Sequence, residues 1–400
     1  MAESSERIST FKSLDALRGL AALWVVMDHS CDRYVTTVNL QHWPIYAVSL
    51  RGQLGVVIFF LISGYCIVAA AYRAFAAGKK VRRFALDRLR RIYPPYFASI
   101  VAGFAAIQFL AFAQAHHLTP PIHHQMLKST DALFWLSNLF LVQSEAHQPL
   151  FNIVFWSLCF EVSFYAIIGV LLFVTQRIQK QWNAQTGLFF FSLAISALTL
   201  ESLVFQIRTG RAGPFPLDLW YQFGLGGLFF LCMEIDSPSH KGFSLGLRRL
   251  HRVEAAVVVG VTALFGWTQA FGGSDIAHPS SRVQVVTALA CFAGFWIMRR
   301  VERYYVFRPV LQPLFWLGSF SYSLYLIHPV ILPFFEVLGR RLGLTGNLYV
   351  INWIIQIFAA IVAGWLFFLA VERRFISSRQ KDRARSELQL KFAAEKVISG

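Results

Sequence analysis

The sequence predicts an all-α protein, a polytopic bundle of about ten transmembrane helices with both termini in the cytoplasm. Hydrophobic residues make up 56% of the 400 residues and charged residues only 14%, whereas soluble proteins contain about 25% charged residues. So few charges cannot cover a water-exposed surface. The 39 Phe, 11 Trp and 13 Tyr favour a lipid-facing protein with aromatic belts at the membrane interfaces.

Ten apolar stretches are close to the length of about 20 residues that spans a bilayer. They are 14–33, 54–72, 94–115, 151–174, 187–206, 217–235, 253–271, 283–298, 314–338 and 347–370. With a cytoplasmic amino terminus, 28 Lys and Arg lie in cytoplasmic segments and 7 in extracytoplasmic segments, as the positive-inside rule requires. Topology therefore explains the net charge of +16, and nucleic-acid binding is not expected.

The chain divides into a cytoplasmic segment 1–13, a membrane domain 14–375 and a cytoplasmic basic tail 376–400. The first apolar stretch lacks a cleavage pattern, so we expect it to remain in the mature protein. The five cysteines are scattered one per span and predict small buried residues rather than disulfides. Four histidines in the 116–124 loop lack the spacing of a zinc site, so no metal is expected.

Four ionisable residues lie in or near the first span: Asp15, Arg18, Asp28 and His29. A charge in hydrocarbon costs at least about 2.5–3.5 kcal/mol, so each needs a partner, a cavity or a function. Arg18 and His29 are eleven residues apart, which places them on one helical face about 16 Å apart along the axis. The alternative is that Asp15 neutralises Arg18 and that His29 faces interfacial water.

This spacing suits a long ligand with an anionic head at the cytoplasmic side and a reactive group deeper in the protein, as in coenzyme A thioesters. The segment 73–93 contains eight basic residues and predicts an anion-attracting mouth. Arg88 and Arg91 share a helical face and suit phosphate, and Pro94 and Pro95 are expected to end that helix at the membrane surface. The alternative is that the charges only set topology.

Further polar residues interrupt the later spans. Glu161 is an acid well inside the fourth span, and Gly64 in FFLISGYCI permits close helix contact. We expect Glu372 to pair with Arg373 or Arg374. Side chains expected to line a pocket are Asp15, Ser63, Tyr93, Trp156, Ser321, Tyr325, His328 and Glu372.

These segments resemble the motifs of acyltransferase family 3, integral membrane proteins that acylate O-antigen, exopolysaccharide, peptidoglycan and Nod-factor sugars. The motifs are LDALRGLAALWVVMDHS, FFLISGY, Arg88-x-x-Arg91 followed by Ile-Tyr-Pro, WSLCFEVSFY, SYSLYLIHP and VERRF. They occur in the family's order from Leu14 to about Phe375. One departure is Ala16, which stands where the family usually has glycine.

The resemblance implies transfer of an acyl group, usually acetyl, from cytoplasmic acyl-CoA to a carbohydrate or glycolipid hydroxyl at the bacterial inner membrane. It implies functional roles for Arg18, His29, Arg88 and Arg91, with acyl-CoA as a co-substrate and no bound cofactor. Some relatives have an added extracytoplasmic domain that passes the acyl group on. The chain ends shortly after Glu372, so we expect direct transfer or a separate partner.

We expect His29 and Glu161 to be the catalytic residues, with His29 as general base and Asp32 or Glu161 orienting its imidazole. An acyl-histidine, or an acyl-enzyme at Ser63 or Ser321, remains an alternative route. A transporter or flippase of a lipid-linked glycan or acyl group is the alternative function, although no inverted repeat supports it. A structural scaffold would leave the intramembrane charges without a role.

Overall fold

The computed structural model of the protein describes residues 11–31, 44–116, 131–209, 214–235, 281–305, 309–344 and 348–375. These residues form helices, and no strand occurs among them. The helices are α1 (Ser13–Ser30), α2 (Pro44–Ser49), α3 (Leu54–Ala76), α4 (Val81–Ala115), α5 (Ala132–Phe140), α6 (Phe155–Gln181), α7 (Ala184–Thr209), α8 (Trp220–Ile235), α9 (Ser281–Tyr305), α10 (Gln312–Ser319), α11 (Ser321–Arg341) and α12 (Tyr349–Ala370). Two 3-10 helices, Pro309–Leu311 and Glu372–Arg374, precede α10 and follow α12.

Within the described ranges, seven helices are long and apolar enough to cross a membrane, namely α3, α4, α6, α7, α9, α11 and α12. The helix α8 is shorter but apolar, and α1 has 18 residues, three of them charged. The all-helical membrane class is confirmed. The number of spans and the side of the termini stay predictions, because the predicted span 253–271 and the tail 376–400 lie outside the described residues, as does 117–130, which contains most of the histidine-rich loop.

The prediction that Pro94 and Pro95 end a helix is wrong, because α4 runs unbroken through both prolines. Proline removes an N–H donor and leaves carbonyl groups of the preceding turn without their helical partner. The carbonyls that lose a partner are those of Arg90 and Arg91, four residues before each proline. Membrane helices tolerate proline where the surrounding structure holds the helix, and here the Tyr322 hydroxyl of α11 donates to the carbonyl of the next residue, Ile92, at 3.0 Å. The Arg-x-x-Arg pair therefore lies on a helix that continues into the membrane.

The predicted span 314–338 is divided into two helices, α10 and α11. The break is at Phe320, whose φ of −125° and ψ of 20° lie outside the helical range. The helix α10 packs tightly on α1, because a Cβ added at Gly19 or Gly318 would overlap backbone atoms of the other helix. The chain then turns, and α11 also packs on α1.

The helices α3 and α8 approach closely through glycines. A Cβ at Gly64 would overlap the Phe223 carbonyl, and a Cβ at Gly226 would overlap the Leu61 carbonyl. The close contact predicted at Gly64 is confirmed, as small residues in membrane helices allow. While α8 covers one side of α3, other parts of α3 contact α1, α4 and α6, and the candidate site lies there.

Candidate functional site

Two histidines meet where α1 and α11 pack together. The Nδ1 atom of His29 lies 2.8 Å from the Nε2 atom of His328, and the stacked rings have centroids 5.0 Å apart. The Nδ1 atom of His328 lies 3.0 Å from the Leu324 carbonyl oxygen. A carbonyl only accepts, so a neutral His328 carries its proton on Nδ1 and accepts at Nε2. A neutral His29 then donates from Nδ1, which places its proton-accepting lone pair on Nε2.

His328 therefore occupies the place expected for Asp32 or Glu161 beside His29. Asp32 lies outside the described residues, and Glu161 accepts its hydrogen bonds from other side chains. His328 is supplied by the SYSLYLIHP segment of α11, which packs against α1. Spacing along one helix cannot show which other helix supplies the partner.

Buried glutamates hold the first turns of both helices that carry these histidines. Ser13 of α1 donates to Glu302 from its backbone N at 2.7 Å and from Oγ at 2.9 Å. Ser323 of α11 donates to Glu372 from its backbone N at 3.1 Å and from Oγ at 2.5 Å. A carboxylate at a helix N-terminus satisfies N–H groups and complements the helix dipole. Both carboxylates therefore fix the helices that position the histidine pair.

The expected pairing of Glu372 with Arg373 or Arg374 is wrong. Both arginine side chains are exposed, whereas Glu372 is buried against α11. The 3-10 turn that follows α12 carries the carboxylate inward. There Glu372 also interacts electrostatically with Arg91 and Arg18.

A pocket lies among α1, α3, α4, α6 and α11. Along α3 its wall extends from Val56 to Ile67, eleven residues or about 16 Å of helix. The lining residues are Arg18, Val56, Phe59, Phe60, Ile62, Ser63, Cys66, Ile67, Arg88, Arg91, Ile92, Ser157, Leu158, Glu161, Tyr165, Tyr322 and Tyr325.

Positive charge predominates in this wall. It contains Arg18, Arg88 and Arg91, and Glu161 is the only carboxylate among its described residues. The Nε atom of Arg88 is buried without a hydrogen-bond partner among the described residues. Arg91 interacts electrostatically with Glu161 and with Glu372. A buried donor without a partner costs free energy, so this wall suits an anionic ligand.

Glu161 is tied to two hydroxyl groups within the pocket. Its Oε1 atom accepts from Ser63 Oγ at 2.8 Å and from the Tyr165 hydroxyl at 2.5 Å. Tyr165 follows Glu161 by one helical turn on α6, and Ser63 reaches it from α3. This arrangement fixes the carboxylate beside the arginines.

A second pair of hydroxyls, from Ser157 and Tyr325, lines the pocket next to the histidines. The Tyr325 hydroxyl lies 2.7 Å from Ser157 Oγ, which donates to the Val154 carbonyl at 3.0 Å. The Tyr325 and His328 rings have centroids 6.0 Å apart. The pocket wall thus comes within one helical turn of the histidine pair.

The structure brings six of the predicted site residues into one pocket wall: Arg18, Ser63, Arg88, Arg91, Glu161 and Tyr325. Seven predicted residues do not line it: Asp15, His29, Tyr93, Trp156, Ser321, His328 and Glu372. Tyr93 donates to the Phe140 carbonyl at 3.3 Å, and Ser321 donates to the Gly318 carbonyl at 3.0 Å. The Trp156 ring packs on Phe60, with centroids 6.0 Å apart.

Four polar lining residues were not predicted as site residues: Cys66, Ser157, Tyr165 and Tyr322. Cys66 follows Ser63 by three residues, so helical periodicity already places both on one face. Tyr322 and Ser157 lie within quoted motifs, but only the packing of α11 on α4 and α6 shows their position. None of the five cysteines, all of which lie in the described part of the chain, forms a disulfide bond. Among the described residues, no group of three or more His, Cys, Asp or Glu is placed to hold a metal ion.

Comparison with known proteins places this site within a family. A family model described as an acyltransferase domain matches residues 11–371, which includes every residue of the pocket and both histidines. No curated protein and no solved structure matches the chain. The match covers nearly the whole sequence and the motifs quoted above except VERRF, of which only Val371 lies within it. The chain therefore belongs to acyltransferase family 3.

Proposed function

We propose that the protein transfers an acyl group, acetyl in the first instance, from cytoplasmic acyl-CoA to a hydroxyl of a cell-surface or secreted carbohydrate at the bacterial inner membrane. Family membership implies acyltransferase chemistry, which a transporter without chemistry would not need. One observation carries the donor assignment. A pocket rich in arginine extends toward a hydrogen-bonded histidine pair.

The arginines form the donor end of this site. Planar guanidinium groups suit bidentate contacts to phosphate. The net positive charge of the wall also favours binding of an anion. With the phosphates at Arg18, Arg88 and Arg91, the pantetheine arm follows α3 along the pocket. The pocket's length of about 16 Å along α3 equals the axial spacing of Arg18 and His29. The thioester then lies at the histidine end.

His29 acts as the general base in this proposal. Its Nε2 takes the proton of the acceptor hydroxyl, the oxygen forms a bond to the thioester carbonyl carbon, and the C–S bond breaks. The CoA thiolate then takes the proton from His29. The products are an ester and the free CoA thiol, so no further reactant is needed. His328 holds the required tautomer by accepting from His29 Nδ1.

Glu161 is assigned to the donor site rather than to proton transfer. Its hydrogen bonds to Ser63 and Tyr165 and its interaction with Arg91 make it a positioning residue for the arginines. Direct transfer is favoured over a seryl intermediate. The Ser63 hydroxyl is held by Glu161 on the arginine wall, and Ser321 does not line the pocket.

The experiment is transfer by purified full-length protein in lipid nanodiscs. Acetyl-CoA labelled in the acetyl group is supplied with cell-surface glycan from a deletion strain, and the modified glycan is identified by mass spectrometry. The proposal expects acetylated glycan and one free CoA thiol per ester formed. Acyl-CoA that stays intact with every glycan fraction would overturn it.

A further inference from the structure

One hydroxyl lies where the donor thioester would meet the histidine pair. Tyr325 is three residues from His328 on α11 and packs edge-on against Phe59, with centroids 5.6 Å apart. Other residues of the pocket wall present only hydrocarbon, among them Val56, Phe60 and Leu158. At this end of the described pocket the Tyr325 hydroxyl is paired with that of Ser157.

The hydrogen bonds of Tyr325 show that its proton is the one that can turn to a ligand. Ser157 Oγ and the Tyr325 hydroxyl both lie within reach of the Val154 carbonyl, at 3.0 and 3.3 Å. The two hydroxyls lie 2.7 Å apart and either can donate to the other, so the Tyr325 proton rests on Ser157 Oγ or on the Val154 carbonyl. Both are neutral groups and weaker acceptors than a developing oxyanion. An oxyanion in the pocket would therefore displace the resting acceptor of this proton.

We propose that Tyr325 is a catalytic residue that donates a hydrogen bond to the carbonyl oxygen of the donor thioester. This assignment rests on the proposed function. When the acceptor oxygen bonds to the carbonyl carbon, an electron pair moves onto the carbonyl oxygen, and Tyr325 stabilises that negative charge. The electron pair returns as the C–S bond breaks, and the thiolate receives the proton held by His29. Tyr325 keeps its own proton throughout.

The position of Tyr325 meets the requirements of such a donor. The apolar wall around it excludes water, which increases the effect of a fixed hydrogen bond on developing charge. Its ring is held by Phe59 and by its place on α11, so the hydroxyl is aimed before the substrate arrives. The resting bond to Ser157 keeps the hydroxyl satisfied in the absence of donor.

The test is the Tyr325→Phe variant in nanodiscs, which keeps the ring and its packing on Phe59 but removes the hydroxyl. The expected loss in kcat is about 100-fold, the size typical for one oxyanion donor. The KM for acetyl-CoA is expected to change by less than about threefold, because the lost bond forms mainly in the transition state.

Two control variants separate catalysis from structure. Ser157→Ala removes the resting partner of Tyr325 and leaves its hydroxyl in place, so we expect a much smaller loss than in Tyr325→Phe. Tyr93→Phe removes the same hydroxyl from a tyrosine outside the pocket wall and should leave kcat near that of wild type. If Tyr325 had only a structural role, Ser157→Ala would lose as much activity as Tyr325→Phe.

The acyl group of the donor provides a further test, because a packing defect would reduce the rate equally with different acyl groups. Fluorine on the acyl group stabilises the oxyanion by itself, so the loss in Tyr325→Phe should be smaller with fluoroacetyl-CoA than with acetyl-CoA. An unchanged kcat in Tyr325→Phe overturns the assignment, as does an equal loss in Ser157→Ala or an equal loss with both donors. Absence of acyl-CoA-dependent transfer by the wild-type protein overturns the proposed function and this assignment together.

Discussion

The arginine end and the histidine end of the site differ in how their polar groups are satisfied. Arg88 has a buried Nε without a partner in the described part of the chain, and three guanidinium groups share the wall with one carboxylate. At the other end, both ring nitrogens of His328 are engaged, one of them by His29. In the proposed function an anion completes the first end, whereas the second is ordered before substrate arrives. The proposal thus separates binding in the pocket from chemistry at the histidine pair beside it.

The largest expected effect is at the histidine end. His29→Gln keeps a hydrogen-bonding side chain of similar size but removes the base, so acyl transfer should fall by about 100-fold or more. Membrane abundance should equal that of wild type, measured by immunoblot of the same preparations. If the variant acylates glycan at a near-normal rate, His29 is a structural residue. The assignment of chemistry to the histidine end is then wrong.

A smaller loss is expected from His328, which acts through His29. His328→Ala removes the acceptor that fixes the His29 tautomer, and kcat should fall by about 10- to 100-fold, since an orienting partner contributes less than the base itself. His328→Gln offers an amide oxygen to His29 and an N–H to Leu324, so it should recover part of the rate. Equal rates for the alanine and glutamine variants would argue against the tautomer role.

Much of this arrangement can be predicted from the sequence. The contacts that cannot be predicted are those between residues on different helices. The 3.6-residue period relates Arg18 to His29 and Arg88 to Arg91, because both relations lie within one helix. The bond between His29 and His328 joins residues 299 positions apart and depends on the packing of α11 against α1. Local propensity also misjudged the prolines of α4, because it does not include neighbouring helices such as α11, whose Tyr322 hydroxyl donates to the Ile92 carbonyl beside them.

Substitutions at the arginine end should weaken acetyl-CoA binding rather than lower the rate of the chemical step. Arg88→Ala should raise the acetyl-CoA KM by about 10-fold or more, because a charge-assisted hydrogen bond contributes roughly 1.5–3 kcal/mol. Arg88→Lys should recover it only in part, since lysine lacks the planar fork. The exposed Arg82→Ala, six residues earlier on α4, is the matched control. An unchanged KM in Arg88→Ala would remove this arginine from the donor site.

The sidedness of the membrane decides which end of the pocket meets cytoplasmic acyl-CoA. With 28 basic residues on the predicted inner side and 7 on the outer side, we expect the amino terminus in the cytoplasm. A cysteine placed at Ser5 should react with a membrane-impermeant maleimide only after the cells are opened. Labelling of Ser5→Cys in intact cells, above the background of the wild-type protein, would invert the assignment of the two ends.

The central claim is that CoA is held at the arginine end while chemistry occurs at the histidine end. Calorimetric titration of CoA into nanodiscs containing wild type, His29→Gln or Arg91→Ala tests it most directly, with transfer rates measured on the same samples. We expect His29→Gln to bind CoA as wild type does while losing transfer, and Arg91→Ala to bind about 10-fold more weakly. Equal loss of CoA affinity in both variants, or wild-type affinity in Arg91→Ala, would contradict the claim.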